Sequence, residues 1–293
     1  MSKTEILYLN GEWMPIGEGR VSAEDRGFNF GDGVYEVMRA YGGEPFTLTE
    51  HLERQERSAA GLGIRIPLSV PQFSDVVREL LSRSGIPEAL IYTQVTRGAA
   101  PRQHIYADDL KPTVMAFVRP TPVQPKAWRT EGAKAIPEPD IRWELCNLKT
   151  ISLLPNILAK NRAHRAGAAE ALFHMPDGTV TEGSSSNAYA IRGGELWTAP
   201  LGPRILPGIT RMQILQIAQE IGIRVHEEAL SLREFEAADE IIMSATNLEL
   251  LPITRLDENA IGAGKPGPVY RRLHEAYRAR VRERCGVAEL VPL

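Results

Sequence analysis

A mixed α/β (α+β) chain of two domains, a smaller N-terminal one and a larger C-terminal one, is the fold class that this sequence predicts. Three observations point to it. Strand and helix signals alternate from the start of the chain. A proline-rich run, Arg119 to Lys126, holds Pro120, Pro122 and Pro125, which stiffen the backbone and remove ladder donors. Beyond it the pattern changes to short apolar strands set between longer helical stretches. The expected division is residues 1–119, a linker at 120–126 and residues 127–293, sizes that each suffice for a core.

The elements follow in order. Ile6 to Ile16 reads as a hairpin around Asn10-Gly11, a pair that tolerates positive φ at both turn positions. Val34 to Tyr41, Gly42-Gly43 and Pro45 to Leu48 read as a second hairpin. Thr49 is the expected cap of a helix that runs to about Ala60 and ends at Gly61 and Gly63. Pro71 to Ser84 is amphipathic, and Leu90 to Arg97 and Thr113 to Arg119 are β-branched strands. After the linker, Ile151 to Ala166 predicts a helix. Strands follow at 170–174, 187–191 and 195–198, with turns at Asp177-Gly178 and Gly193-Gly194. Ile209 to Ile221 is helical, Arg224 to Glu228 extended, Glu240 to Ala245 a strand and Val269 to Arg284 a helix. No internal repeat is present.

Composition narrows the function. Apolar residues make up 43% and charged residues 24%, with a net charge of −3, a balance that argues against a nucleic-acid or membrane partner. Cys146 and Cys285 alone supply neither a disulfide framework nor a cysteine-based metal site. Met1 to Trp13 lacks a basic region followed by an apolar run, so no signal peptide is expected. No stretch nears the ~20 apolar residues of a membrane span. A cytoplasmic protein acting on small polar molecules is the expectation.

Several segments carry candidate chemistry. Lys149 lies in Leu145-Cys146-Asn147-Leu148-Lys149-Thr150-Ile151, among apolar and neutral neighbours. Shielding from water lowers a lysine's pKa and yields the free amine that a Schiff base needs; a surface lysine at a strand end fits the segment as well. Leu206-Pro207-Gly208-Ile209-Thr210-Arg211 leads into a helix whose first amides form an anion site in principle, or a plain Pro-Gly turn. Thr181 to Asn187 sets Glu182 and three serines between strands. It reads as a carboxylate for a cationic nitrogen, as a solvated turn, or as a serine-hydrolase loop, though the Gly-x-Ser-x-Gly elbow is missing. Arg97 to His104 offers Arg102 and His104, and an arginine fork matches a carboxylate. Asp25 to Glu36 is rich in glycine and aromatics and ends in Tyr35, which leads a strand.

In their order and spacing, six of these motifs resemble the fold-type IV pyridoxal 5'-phosphate enzymes: Asp25 to Glu36, His51-Leu52-Glu53-Arg54, the Lys149 segment, Glu182 to Asn187, Leu206 to Arg211 and Ser244 to Thr246. The resemblance runs from about Tyr8 to Ile253. It implies that Lys149 bonds the cofactor and later shuttles a proton, and that Glu182 pairs with the pyridine nitrogen so that the ring accepts electrons. It implies phosphate contacts from Arg54, Ile209, Thr210 and Thr246, ring packing by Leu206, and cofactor-side positions for Ser185 and Ser186.

Within that family Tyr35, Arg102 and His104 resemble the carboxylate-binding residues of D-amino acid aminotransferases, where the arginine and histidine come from the neighbouring subunit of a homodimer. Pro101-Arg102-Gln103-His104 is the discriminating unit; Asn29 and Gln103 are positions for which the resemblance gives no match, and they are candidates for tuning the pocket. The implied activity is ping-pong transamination between D-amino acids, such as D-alanine and D-glutamate, and 2-oxo acids such as 2-oxoglutarate. The alternatives are other activities of the same fold: L-branched-chain aminotransferase, (R)-amine transaminase or aminodeoxychorismate lyase. A hydrolase using Ser184 to Ser186 and a non-catalytic carrier of the cofactor complete the readings.

Overall fold

The computed structural model describes residues 5–290. Met1–Thr4, which open the segment read above for a leader, lie outside the described residues. The chain separates into two compact units. One holds residues 5–122, Leu148–Ser152 and residues 281–290; the other holds Val123–Asn147 and Leu153–Arg280.

The first unit is built on an antiparallel sheet. Its elements are β1 (Ile6–Leu9), β2 (Glu12–Pro15), α1 (Arg26–Phe30), β3 (Gly33–Tyr41), β4 (Glu44–Pro45), α2 (Leu48–Gly61), α3 (Val70–Ser84), β5 (Ala89–Thr96) and β6 (Thr113–Pro120). Strand order is β2-β1-β6-β5-β3-β4. The first hairpin is as expected, with Leu9 opposite Glu12 and positive φ at both Asn10 and Gly11. The core lies where Val34 and Met38 of β3 and Ile91 and Val95 of β5 meet Leu52 and Ala59 of α2 and Val77 and Leu80 of α3. Leu52 and Ala59 stand seven positions apart and Val77 and Leu80 three, so each pair shares one face of its helix.

One expected cap is corrected. Helix α2 begins at Leu48, and its cap residue is Thr47, in the left-handed region at φ 55, not Thr49. The Thr47 hydroxyl donates to the carbonyl of Phe46 at 2.7 Å and so caps nothing in the helix. Helix α3 starts one residue before Pro71, with Ser69 and Gln72 forming a reciprocal capping box.

The second unit contains α4 (Ala127–Thr130), β7 (Ala133–Pro139), α5 (Leu154–Arg165), β8 (Glu170–His174), β9 (Val180–Gly183), β10 (Asn187–Arg192), β11 (Glu195–Thr198), α6 (Ile209–Glu220), β12 (Val225–Glu227), α7 (Leu232–Glu236), β13 (Glu240–Ala245), β14 (Glu249–Leu256) and β15 (Asn259–Ala260). Helix α8 (Pro268–Cys285) starts here and runs on past Arg280. The mixed sheet has the order β12-β11-β10-β13-β14-β7-β8-β9, with β15 on β14. Strands β7, β9 and β14 were not anticipated. β7 carries Pro137 and Pro139 and β14 carries Pro252, and proline inside a run argues against a strand. The apolar side chains of β8, β10, β13 and β14 fill the core on the sheet, with Leu172, Ala190, Ile241, Met243 and Leu251 at its centre.

Helix α5 starts at Leu154, later than Ile151, because Ile151 is held in extended pairing by its amide's bond to the Gly33 carbonyl, 3.0 Å, and Pro155 favours a start just before itself. Among the described residues no helix is long and apolar enough to cross a membrane.

Candidate active site

Lys149 sits in the first unit on a short extended stretch laid against the start of β3. The amide of Tyr35 donates to the Lys149 carbonyl at 3.1 Å, and Val34 and Thr150 form an antiparallel bridge. On the other side the Lys149 amide donates to Ser58 Oγ of α2 at 3.0 Å. The backbone is thus tied to a strand and to a helix, and the half-buried side chain carries its Nζ 4.2 Å from the centre of the Tyr35 ring. Tyr35 in turn stacks on Tyr92 at 5.7 Å.

Next to Tyr35, Glu36 points toward α2. His51 and Arg54 stand one turn apart there and therefore share a face. Arg54 Nε and Nη2 donate to the two oxygens of Glu36 at 2.7 and 2.8 Å, and His51 Nδ1 meets the second oxygen at 2.7 Å. All three are buried. Burial alone would raise the Glu36 carboxyl, but Arg54 and His51 outweigh it and hold the group far below the usual carboxylate range. Burial lowers His51 despite its carboxylate neighbour, and Lys149 contributes in the same direction.

Arg102 and His104 occupy an exposed loop of the same unit. Both rest on Phe30, the Arg102 guanidinium 5.0 Å above the ring and the His104 ring at its edge, 5.7 Å away. The structure therefore groups Lys149 with Tyr35, and Arg102 with His104.

The second unit carries Glu182 at the end of β9. Its carboxylate is buried, with one oxygen 2.5 Å from Arg142 Nη1 and the other accepting from the Leu206 amide at 3.0 Å and from Asn187 Nδ2 at 3.1 Å. Arg142 also grips Asp140 through Nε at 2.9 Å and Nη2 at 2.7 Å, and lies 4.6 Å over the Phe173 ring. One guanidinium thus serves two buried carboxylates, a formal sum of +1 − 2 = −1. The deficit falls on Glu182: burial pushes it up to about 7 against the pull of Arg142, whereas Asp140 is held below its ordinary value by Arg142 and Thr181 in spite of burial. Burial also raises the neighbouring Cys146 thiol to about 11.

Leu206 brackets this group, since its carbonyl accepts from Asn187 Nδ2 at 3.0 Å. Three residues on, Ile209 and Thr210 open α6, and the preceding Gly208 offers no side-chain cap to their amides. A Cβ at Gly208 would stand 2.0 Å from Asn187 Oδ1, so glycine is what lets the helix start approach the Glu182 cluster. Ser184, Ser185 and Ser186 all turn their hydroxyls to one buried carboxylate, Glu170, which also accepts from the Ala171 amide and forms an ion pair with Lys160. Half-buried Thr246 lies on the turn after β13, two residues beyond Ser244, which pairs with Asn187.

Asp140, Arg142, Glu170, Glu36 and His51 were given no role from the sequence. A charged residue becomes a candidate for burial only once its partner is known, and Arg142 and Glu182 are 40 positions apart. The Asp140-x-Arg142 spacing was the one local sign, because alternate residues of an extended segment face the same way.

A model of the amino-transferase class IV family matches residues 33–256. The D-alanine aminotransferase of Staphylococcus haemolyticus is 42% identical over 279 residues, covering 95% of this chain and 98% of that protein. That of Bacillus licheniformis is 41% identical, covering 92% and 95%. Among solved structures, a T.th. branched-chain amino acid aminotransferase with pyridoxamine 5'-phosphate has a TM-score of 0.88 at 29% identity, covering 96% of this chain and 95% of that one. The Escherichia coli branched-chain enzyme has a TM-score of 0.87 at 25% identity, covering 98% and 96%. Taken with the architecture, these matches establish that the chain belongs to the amino-transferase class IV family.

Proposed function

We propose that this chain is a pyridoxal 5'-phosphate-dependent aminotransferase that moves the amino group of D-amino acids, of the D-alanine and D-glutamate type, to 2-oxo acids such as 2-oxoglutarate. The observation that carries the reading is the buried Asp140–Arg142–Glu182 cluster, which is one positive charge short. A carboxylate whose affinity for a proton is raised to about 7 fits a protonated ring nitrogen, which supplies the missing charge. D-amino acids are favoured as donors by the near full-length likeness to proteins named D-alanine aminotransferase, and by the presence of Arg102 and His104 as a unit.

When bound, the cofactor supplies a ring that accepts electrons from the carbon bearing the amine. Lys149 would hold its aldehyde carbon and Glu182 its ring nitrogen. Arg54, Thr246 and the amides of Ile209 and Thr210 would hold its phosphate, where the start of a twelve-residue helix favours an anion. Leu206 would pack on the ring, beside the loop of Ser185 and Ser186. With the cofactor bound, the Lys149 amine would act as general base toward the substrate Cα–H and then as general acid toward the cofactor carbon that it had held. Tyr35, Arg102 and His104 bind the substrate carboxylate and so decide which enantiomer offers its Cα–H to Lys149. The two half-reactions share these groups, so ping-pong kinetics follow. Arg102 and His104 are exposed in the single chain, and they serve the partner's Lys149 in a homodimer. A cytoplasmic setting fits the expected substrates.

The test is spectroscopic and kinetic. D-alanine should shift the visible cofactor band of the purified holoenzyme, and L-alanine should leave it in place. A donor panel with L-leucine and (R)-1-phenylethylamine should favour D-alanine. Lys149→Ala should lower transamination by at least about 10²–10⁴-fold, the span of general acid–base catalysis. A preference for L-leucine would move the assignment to the branched-chain enzymes, and a fully active Lys149→Ala would refute the role of the lysine.

A further inference from the structure

We propose that Arg26 is a positioning residue for substrate carboxylate recognition: it clamps the backbone of the loop that carries Arg102 and His104 and so sets the direction in which both side chains are presented. The inference rests on the carboxylate-binding reading of that loop. It adds a residue that touches no substrate.

The loop between β5 and β6 is exposed along most of its length, and its polar tips have no core to hold them. What holds it is beneath it. Arg26, only 5% exposed, donates through Nη1 to the Gln103 carbonyl at 2.6 Å and through Nη2 to the His104 carbonyl at 3.4 Å. Those two carbonyls flank the His104 backbone and follow directly on Arg102. The third arm, Nε, is fixed to Asp32 Oδ2 at 2.8 Å.

Asp32 is itself anchored. Arg97 reaches it with Nε at 2.8 Å and Nη2 at 3.1 Å, and ties it to the turn that ends α2 through the carbonyls of Leu62 and Gly63 at 2.7 and 3.0 Å. Two guanidiniums on one carboxylate keep Asp32 ionised, against the effect of its burial. The same two arginines seat the middle of the loop, just past His104, because the Tyr106 ring lies 3.7 Å from the Arg97 guanidinium carbon and 5.2 Å from that of Arg26. Arg26 further stacks at 4.8 Å on Phe30, the ring on which Arg102 and His104 rest.

A single guanidinium therefore contacts the loop's backbone and the aromatic platform beneath both recognition side chains. Its planar fork can serve Asp32 and two carbonyls together, which a lysine ammonium at that site cannot do. Misplacement of an orienting group by about 1 Å is enough to cost up to a hundredfold in rate.

The test uses the holoenzyme with Arg26→Met, Arg26→Lys, Arg102→Leu and the double variant Arg26→Met/Arg102→Leu. Arg26→Met should raise KM for D-alanine and for 2-oxoglutarate by about tenfold or more, with cofactor affinity changed little and the thermal midpoint lowered by the loss of a buried ion pair. Arg26→Lys, which keeps the charge beside Asp32, should show the same KM effect and covers the case in which the methionine variant does not fold. In the Arg102→Leu background the Arg26 change should raise KM by clearly less than it does in the native chain, because only the share that acts through His104 remains. The inference is overturned if Arg102→Leu raises KM and both Arg26 variants do not, or if the two effects multiply in the double variant. If Arg102→Leu itself leaves KM unchanged, the carboxylate reading fails, and the role of Arg26 falls with it.

Discussion

Glu182 is where burial and charge compete most directly, and the competition has a measurable consequence. Burial pushes its carboxyl up to about 7, above the ordinary 4.5, against the pull of Arg142 and the Leu206 amide. A group whose folded pKa is raised contributes stability that is full below its unfolded pKa and is lost as pH rises through the folded value. Cofactor-free protein should therefore lose up to roughly 3 kcal/mol from this residue between about pH 4.5 and pH 8. Glu182→Gln removes the titration, so the variant should gain on the native chain at pH 8 relative to pH 5. Denaturant unfolding of both cofactor-free proteins at the two pH values checks this, and an unchanged difference would remove the assignment. Glu36 runs the other way: Arg54 and His51 depress it below the range of an unpaired glutamate, so its contribution is present above that range and lost in acid.

Among the elements, α6 depends on how closely its start approaches β10. Gly208 has an ordinary extended backbone, φ −61, so its need for glycine is one of space and not of conformation. A methyl group there meets Asn187 Oδ1 at 2.0 Å and the Arg211 Cβ at 3.2 Å. Either Asn187 leaves Glu182 or the helix start retreats, and with the proposed roles of Glu182 and the α6 amides both would weaken the hold on the cofactor. Gly208→Ala should cost about 1–3 kcal/mol of stability and raise the cofactor's dissociation constant by about tenfold. Titration of the cofactor-free variant measures this, and affinity equal to that of the native chain would contradict the packing argument. The same scale explains the missed elements. The prolines of β7 and β14 hide strands that pairing with neighbours stabilises, and Ile151 leaves its helical pattern because Gly33 offers its amide a partner.

At the level of the whole molecule, the proposed exchange of Arg102 and His104 between subunits makes a prediction that one chain cannot. Lys149→Ala and Arg102→Leu homodimers each lack one half of every site. A mixed dimer regains one complete site, with Lys149 from one protomer and Arg102 from the other. Random exchange of equal amounts should restore roughly a quarter of native activity, since about half the dimers are mixed and each carries one good site of two. Sedimentation of the native protein should give the mass of two chains. No recovery in mixtures shown to contain mixed dimers would place Arg102 in its own subunit's site.

Much of the proposed site is read from the sequence because its chemistry is written in short segments. Lys149 among neutral neighbours, Glu182 before a run of serines, Gly208 before a helix and Arg102 two residues from His104 are each local, and their order along the chain does not depend on knowing the fold. The hairpin at Asn10-Gly11 and the helices at Val70–Ser84 and Ile209–Glu220 were legible for the same reason, since turn chemistry and apolar period act over a few residues. What tertiary structure alone decided is how the charges are shared: that Arg142 divides itself between Asp140 and Glu182, that three serines converge on Glu170, and that Arg26 and Arg97 meet on Asp32 beneath the Arg102 loop. These are long-range pairings of ionic and polar groups whose net strength is set by burial, and burial is a property of the folded chain, not of any short stretch of it.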